Sequence, residues 1–193
     1  MNHLYLSVVI PAAGTSKRLG QAKQLIQHRG KSLILHAIEI ARSLLPREII
    51  VVTGAKAHAI SDEIKHTGVK QVNNVDWAEG MGGSIATGIR SMQQDSTGVL
   101  ILLCDQWAIR ADDLQGIAET WHSNHSRIVA AHTSGRCGPP VIFPDSCFEE
   151  LRDLKGDRGA HGVLNAHPDL LTPHAMKHAG FDLDTVEQLK QLQ

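Results

Sequence analysis

The sequence predicts a single α/β domain over residues 1–193, with a mostly parallel sheet between two layers of helices. Three observations predict it. Short apolar runs alternate with longer amphipathic stretches, the rhythm of parallel strands joined by helical crossovers. The runs are almost continuously apolar and β-branched, as strands covered on both faces are. Glycines and charged residues gather directly after the runs, at the strand ends where such sheets bind ligands.

Taken in order, 6–10 (LSVVI) reads as a buried first strand, and 48–53 (EIIVVT) as a second. Between them Leu33, Ile34, Ala37, Ile38 and Ala41 recur at helical spacing, predicting a helix over 31–45. A helix over 55–65, a short strand over 69–73 and a helix over 84–94 follow, the last entered through a turn at Gly80-Met81-Gly82-Gly83. The run 98–104 (GVLILLC) is the most apolar strand and belongs at the centre of the sheet. A helix over 111–123 and a strand over 127–132 come next. The Gly- and Pro-rich stretch 135–140 then predicts a loop, before a strand over 141–143 and short helices over 145–154 and 157–166.

Composition excludes several classes. Lys plus Arg total 19 against 20 for Asp plus Glu, a net charge of −1, which argues against a generally basic nucleic-acid binder. The apolar run 99–104 is far too short to span a membrane. The N-terminus has no Lys or Arg before Lys17, and Pro11 interrupts its apolar run, so it reads as a strand rather than a signal segment. Cys104, Cys137 and Cys147 cannot all pair and form no CxxC, the usage of a reduced, cytoplasmic protein. His161 and His167 have an acceptable spacing for a zinc finger, but Cys137 and Cys147 are too widely separated for one. His122/His125 and His174/His178 fall at possible helical spacings, with nothing to join them into a metal site.

Five constellations carry chemistry. Residues 11–25 (PAAGTSKRLGQAKQL) put small residues and then Lys17, Arg18 and Lys23 directly after the first strand, an arrangement suited to a polyphosphate. Asp105 follows the most apolar strand, where one carboxylate can hold Mg²⁺ with waters and phosphates completing the shell; a turn residue is the plain alternative. In 73–84 three glycines precede Ser84, which suits close approach of a ligand, while Trp77 offers packing or stacking. Arg136 and Arg158 each sit in Gly-rich stretches that fit an anionic second substrate or an ordinary surface turn. Asp184 near the C-terminus is a helix cap or a second metal carboxylate.

Together these segments resemble the molybdenum-cofactor nucleotidyltransferase family, and within it the cytidylyltransferase branch. A pattern like L-A-A-G-x-S-x-R-M-G-x-x-K stands here as 11–23. N-x-x-W-x-x-G-M-x-x-S matches Asn74, Trp77, Gly80, Met81 and Ser84. D-Q-P stands as Asp105-Gln106-Trp107, G-R-x-G-x-P-V-x-F ends on Arg136, Gly138, Pro140, Val141 and Phe143, and G-D-x-G-A is 156–160. D-x-D-T matches Asp182, Asp184 and Thr185. Pro11 and Trp107 depart from the pattern.

The resemblance implies a three-layer, Rossmann-like nucleotidyltransferase fold of the glycosyltransferase-A type. It implies transfer of a nucleoside monophosphate, CMP from CTP, onto the phosphate of a molybdopterin, with Mg²⁺ as cofactor and a molybdoenzyme as a possible recipient. On that resemblance Arg18, Lys23 and Asp105 are catalytic, and Asp105 and Asp184 hold the metal. Ala12, Ala13, Gly14, Ser16, Thr53, Gly80 and Ser84 join Arg18 and Lys23 in binding the nucleotide. Gln106, Trp107, Arg136, Gly138, Pro140, Asp157 and Arg158 bind the acceptor. A phosphorylated sugar or alcohol as acceptor, and a non-catalytic molybdopterin chaperone, are the competing readings.

Overall fold

The computed structural model describes residues 4–16, 19–183, 185 and 187–189. A seven-stranded sheet forms its middle. β1 (Leu6–Pro11) is followed by a two-residue-stranded hairpin, β2 (Gln27–His28) and β3 (Lys31–Ser32), and by α1 (Leu33–Arg42). Then come β4 (Ile49–Thr53), α2 (Ala57–Ile64), β5 (Lys70–Asn73), α3 (Met81–Ser91) and β6 (Gly98–Ile101). The second half comprises α4 (Ala111–Ser123), β7 (Ile128–Thr133), β8 (Arg136–Pro144), α5 (Phe148–Arg152), α6 (His161–Ala166) and β9 (Leu171–Ala175).

The strand order is β5-β4-β1-β6-β8-β7-β9. β6 is thus the fourth of seven, central as its composition predicts. Only β8 runs against its neighbours, so the sheet is mostly parallel. The chain leaves β1 for β4 and β5 on one side, then crosses back to β6 on the other. The strand order therefore reverses at β1 and β6, and their carboxyl ends open the crevice where such sheets bind ligands.

The sheet is dry on both faces. Ile38 of α1, Ile60 of α2 and Ile117 of α4 pack with Val8, Ile10 and Leu100 on one face. Ile85 of α3, Leu151 of α5 and Val163 of α6 pack with Val9, Val99 and Ile101 on the other. Alternate residues of each strand thus feed opposite layers. At Gly88, a Cβ would stand 2.5 Å from Val9 Cγ1, so the missing side chain lets α3 lie directly on β1.

Four local predictions are corrected. The helix over 31–45 begins at Leu33, because Lys31 and Ser32 pair with His28 and Gln27 around Arg29 and Gly30, both at positive φ. The helix predicted from Ser84 begins at Met81, taking Gly82 and Gly83 into its first turn. The stretch 135–140 is largely strand: β8 starts at Arg136, and the β7 register jumps from Ala130↔Val141 to Ala131↔Gly138, leaving Pro139 and Pro140 in a bulge where neither needs an amide hydrogen. His125 lies beyond the end of α4, and His174 sits on β9 while His178 lies in a turn beyond it, so neither histidine pair shares a helix. β9 (LTPHA) has no apolar run, and Pro173 is tolerated because β9 is an edge strand paired on one side. No helix among the described residues is long and apolar enough to cross a membrane.

Candidate active site

The loop after β1 is braced from beneath. Gln24 is buried, and its Nε2 donates to the carbonyls of Ala12 (3.1 Å) and Gly14 (3.0 Å). The Ser16 hydroxyl accepts the backbone N–H of Lys23 at 3.1 Å, closing the loop on itself. Positive φ falls on Ser16 and Gly20, whereas Gly14 needs no special dihedral. A Cβ on Gly14 would meet nothing within 4 Å, so the role of that glycine is to keep a surface open rather than to make the turn.

That surface faces a cleft of about 470 Å³. Its near wall is Pro11, Ala13, Gly14 and Thr15; its far wall is Trp77, Gly80, Met81 and Ser84; Asp157 closes one end. Ser84 lies in the fourth position of α3, buried, and its hydroxyl accepts from Asn74 Nδ2 at 3.0 Å. Gly80 is obligatory. It sits at φ 117°, and a Cβ there would lie 2.4 Å from the Gly156 carbonyl carbon and 2.5 Å from Asp157 Oδ1. The Gly82 N–H donates to the Gly156 carbonyl at 2.8 Å, so two motifs 70-odd residues apart are locked together at the rim.

Across the switch point, Lys23 is paired with Asp105. Asp105 is 8% exposed and immediately follows Cys104, whose thiol is pushed up to about 12 by burial and then by the Asp105 charge. The Leu183 N–H donates to the Asp105 carbonyl at 3.0 Å and fixes the backbone there. Among the described residues no three His, Cys, Asp or Glu side chains stand together as a metal cluster. Arg18 and Asp184 lie outside the described residues.

A second, apolar cleft of about 210 Å³ adjoins the first. Met81 lines both. Leu103, Pro139, Val141, Arg158 and His161 complete much of its wall.

The predicted residues therefore divide. Ala13, Gly14, Gly80 and Ser84 line the larger cleft, with Ala12 buried behind it. The Thr53 hydroxyl instead points to Val72 O and Asn73 Oδ1, at 3.4 Å each, within the strand pairing. Asp157, expected beside the acceptor, closes the larger cleft, while Arg158 lines the smaller one. Gln106 is buried, and its Nε2 donates to Pro139 O (2.8 Å) and Ala179 O (3.0 Å), tying β8 and the C-terminal segment to the segment after β6, while its Oε1 has no partner among the described residues. Trp107 turns away from both clefts, edge-on to His28 and Phe181. Gly138 and Pro140 are backbone of β8, and Arg136 is exposed at the tip of the β7–β8 hairpin. Pro11, Thr15, Trp77, Ala78 and Met81 are lining residues that sequence reasoning did not assign; for Trp77 and Met81 their place inside the N-x-x-W-x-x-G-M-x-x-S segment was the available signal.

Residues 8–170 match the model of the MobA-like NTP transferase domain. The chain belongs to that family. It is a nucleotidyltransferase of the MobA-like class, and the matched span contains the glycine loop, the α3 entrance and the Lys23–Asp105 pair. It is 28% identical to nicotine blue oxidoreductase of Paenarthrobacter nicotinovorans, over 95% of this chain and 94% of that one. It is also 28% identical to purine catabolism protein PucB of Bacillus subtilis, over 86% and 83%. Among solved structures, Rv0371c of Mycobacterium tuberculosis superposes with a TM-score of 0.84 at 24% identity, covering 98% of this chain and 97% of that one. A further Rv0371c structure, a complex with manganese, matches at 0.81 and 22%, over 97% of each chain.

Proposed function

We propose that this MobA-like nucleotidyltransferase moves CMP from CTP onto the phosphate of a molybdopterin-type acceptor, releases pyrophosphate, and yields a cofactor for a molybdoenzyme in the cytoplasm. The observation that carries the reading is the Lys23–Asp105 pair, which joins the segments following β1 and β6, in a molecule whose loop after β1 also walls a cleft with Gly14 opposite Gly80. About 470 Å³ falls in the range of sites that enclose small organic ligands.

In this reading the base and ribose lie between the loop at 13–15 and the start of α3, with Trp77 as an apolar wall. Lys23, together with Arg18, neutralises the polyphosphate. Lys23 has two anions to serve, Asp105 and the phosphates, so nucleotide entry draws it off and frees the Asp105 carboxylate. A single carboxylate at the end of a strand suits a hard cation that keeps most of its shell as water and phosphate, and Asp105, with Asp184, would hold Mg²⁺. When bound, the cation supplies charge neutralisation on the α-phosphate and the leaving pyrophosphate. A structural neighbour, Rv0371c, crystallises as a complex with manganese, which supports the use of a divalent ion.

An oxygen of the acceptor phosphate attacks the α-phosphorus as the bond from the α-phosphorus to the bridging oxygen breaks. A phosphate monoester has a second pKa near 6, so the nucleophile is already dianionic near pH 7 and needs no protein base. Catalysis is then alignment and charge neutralisation. Arg158 beside the smaller cleft supplies a cation on the acceptor side.

The test is pyrophosphate release from CTP, GTP, ATP and UTP with Mg²⁺ or Mn²⁺, each with molybdopterin or with sugar and alcohol phosphates. CTP with molybdopterin should be the productive pair. Turnover only with another acceptor would overturn the substrate, and pterin binding without turnover would favour a chaperone. An assay for oxidation or reduction of nicotine blue tests the activity for which the Paenarthrobacter relative is named.

A further inference from the structure

A third cleft, of about 530 Å³, lies away from the nucleotide cleft, walled by the β2–β3 hairpin, α1, the entrance of α4 and the C-terminal segment. Its charge is anomalous. The chain as a whole carries 19 Lys and Arg, 20 Asp and Glu and 12 His. Among the described residues the lining holds Arg29, Lys31 and Arg110 and three of the histidines, against one acid, Glu39. Glu39 is already engaged by Lys31 Nζ at 2.7 and 2.6 Å, which also holds its carboxyl below the usual range. His178 is held by Asp113 at 2.7 Å. The arginines come from separate elements, the hairpin turn and the α4 N-cap, and face one cavity.

The remaining wall is aromatic. Trp107 meets His28 at 5.3 Å and Phe181 at 6.0 Å between centroids, each at 63°, so the rings form a fixed edge-to-face wall. Phe181 is 51% exposed, a large ring presented to water inside a cationic cavity. Guanidinium groups opposite an aromatic wall select a ligand that is both planar and negatively charged.

We propose that this cleft is a second ligand site, separate from the nucleotide cleft, and that it takes a small aromatic anion: an aryl or heteroaryl phosphate or carboxylate. Its wall reaches the catalytic pair through the backbone, since Trp107 lies two residues beyond Asp105 and Leu183, two beyond Phe181, donates to the Asp105 carbonyl.

Phenyl phosphate is the probe, followed on the full chain by tryptophan fluorescence and by amide and indole NMR shifts. Saturable binding is expected, with shifts at Trp107 and Phe181. Inorganic phosphate and benzyl alcohol, each carrying half of the chemistry, should bind at least about tenfold more weakly. Arg29→Ala with Arg110→Ala, at exposed positions, should weaken phenyl phosphate at least about tenfold, the scale of a lost charge-assisted bond. Lys23→Ala should leave it unchanged. Three outcomes would overturn the site: no saturation in the millimolar range, loss of binding in Lys23→Ala with the arginine variant unaffected, or inorganic phosphate binding as tightly as the aryl ester. Each is readable whatever the outcome for CTP turnover.

Discussion

Lys23 and Asp105, 82 residues apart in sequence, form an ion pair across the reversal point of the sheet. The pair links the loop after β1 to the loop after β6. Asp105→Asn should preserve the fold and lower cation-dependent turnover on the order of 10²-fold or more. Lys23→Ala should weaken nucleotide binding and, because it strips the largely buried Asp105 carboxylate of its ion-pair partner, lower the melting of the free protein as well. Calorimetric titration with CTP separates the two effects, and near-normal turnover in Asp105→Asn would remove that residue from the metal role.

Two glycines of the cleft should respond oppositely to alanine. Gly80→Ala forces a Cβ into the Gly156 backbone and the Asp157 carboxylate at a strained φ, and should cost several kcal/mol of stability, roughly the scale of an overpacked, strained site. Gly14→Ala meets nothing and should melt like the parent, yet raise the nucleotide KM because its methyl enters the cleft. Equal melting of the two variants would contradict this geometry.

Gln24→Ala removes both amide hydrogens that hold the Ala12 and Gly14 carbonyls. Leaving buried carbonyls unserved costs about 1–3 kcal/mol, and the loop should lose its shape as well. A fall in stability together with a raised nucleotide KM is expected. A change in stability alone would show that Gln24 supports the core without shaping the loop.

Most of this frame is legible in sequence because strand burial has a direct signature: β1, β4 and β6 are apolar at nearly every position. The misses have physical causes. β9 is an edge strand that needs only one paired side, so it carries no apolar run. β8 carries its prolines in a bulge, which composition alone renders as a loop. At the site, Gly14, Gly80 and Ser84 could be placed from a motif, whereas the burial of Gln106 and the outward turn of Trp107 depend on contacts with β8, His28 and Phe181 that are remote in the chain.

On the acceptor side, Arg158→Ala should raise the acceptor KM by roughly 10- to 150-fold while sparing nucleotide affinity, the scale of one charge-assisted hydrogen bond. Arg136→Ala, at the exposed hairpin tip, should do much less. Steady-state kinetics with each substrate varied in turn would decide, and equal effects would place the hairpin over the acceptor.

Cys104 should give an alkaline signature. Its thiol is raised to about 12 by burial, against 9.0 for the free group. Between those values the unfolded chain loses a proton that the folded chain keeps, so this contribution to stability is intact below about pH 9 and is lost as pH rises through the interval, by about 1.4 kcal/mol per pH unit. Denaturant unfolding of the parent and of Cys104→Ala from pH 8 to 11 should show a shallower decline in the variant. Parallel declines would mean that the thiolate is accommodated in the fold.

Met81 is shared by the nucleotide cleft and the smaller apolar cleft. The partition between them thus includes an unbranched side chain with three rotatable bonds, 40% exposed, beside the backbone of 84–85 and 157–158, whose successive residues line one cleft and then the other. Whichever compartment fills first presses on that side chain and resizes the other. Under the two-substrate reading proposed above, a β-branched residue at position 81 should therefore reduce the dependence of one substrate's KM on the concentration of the other.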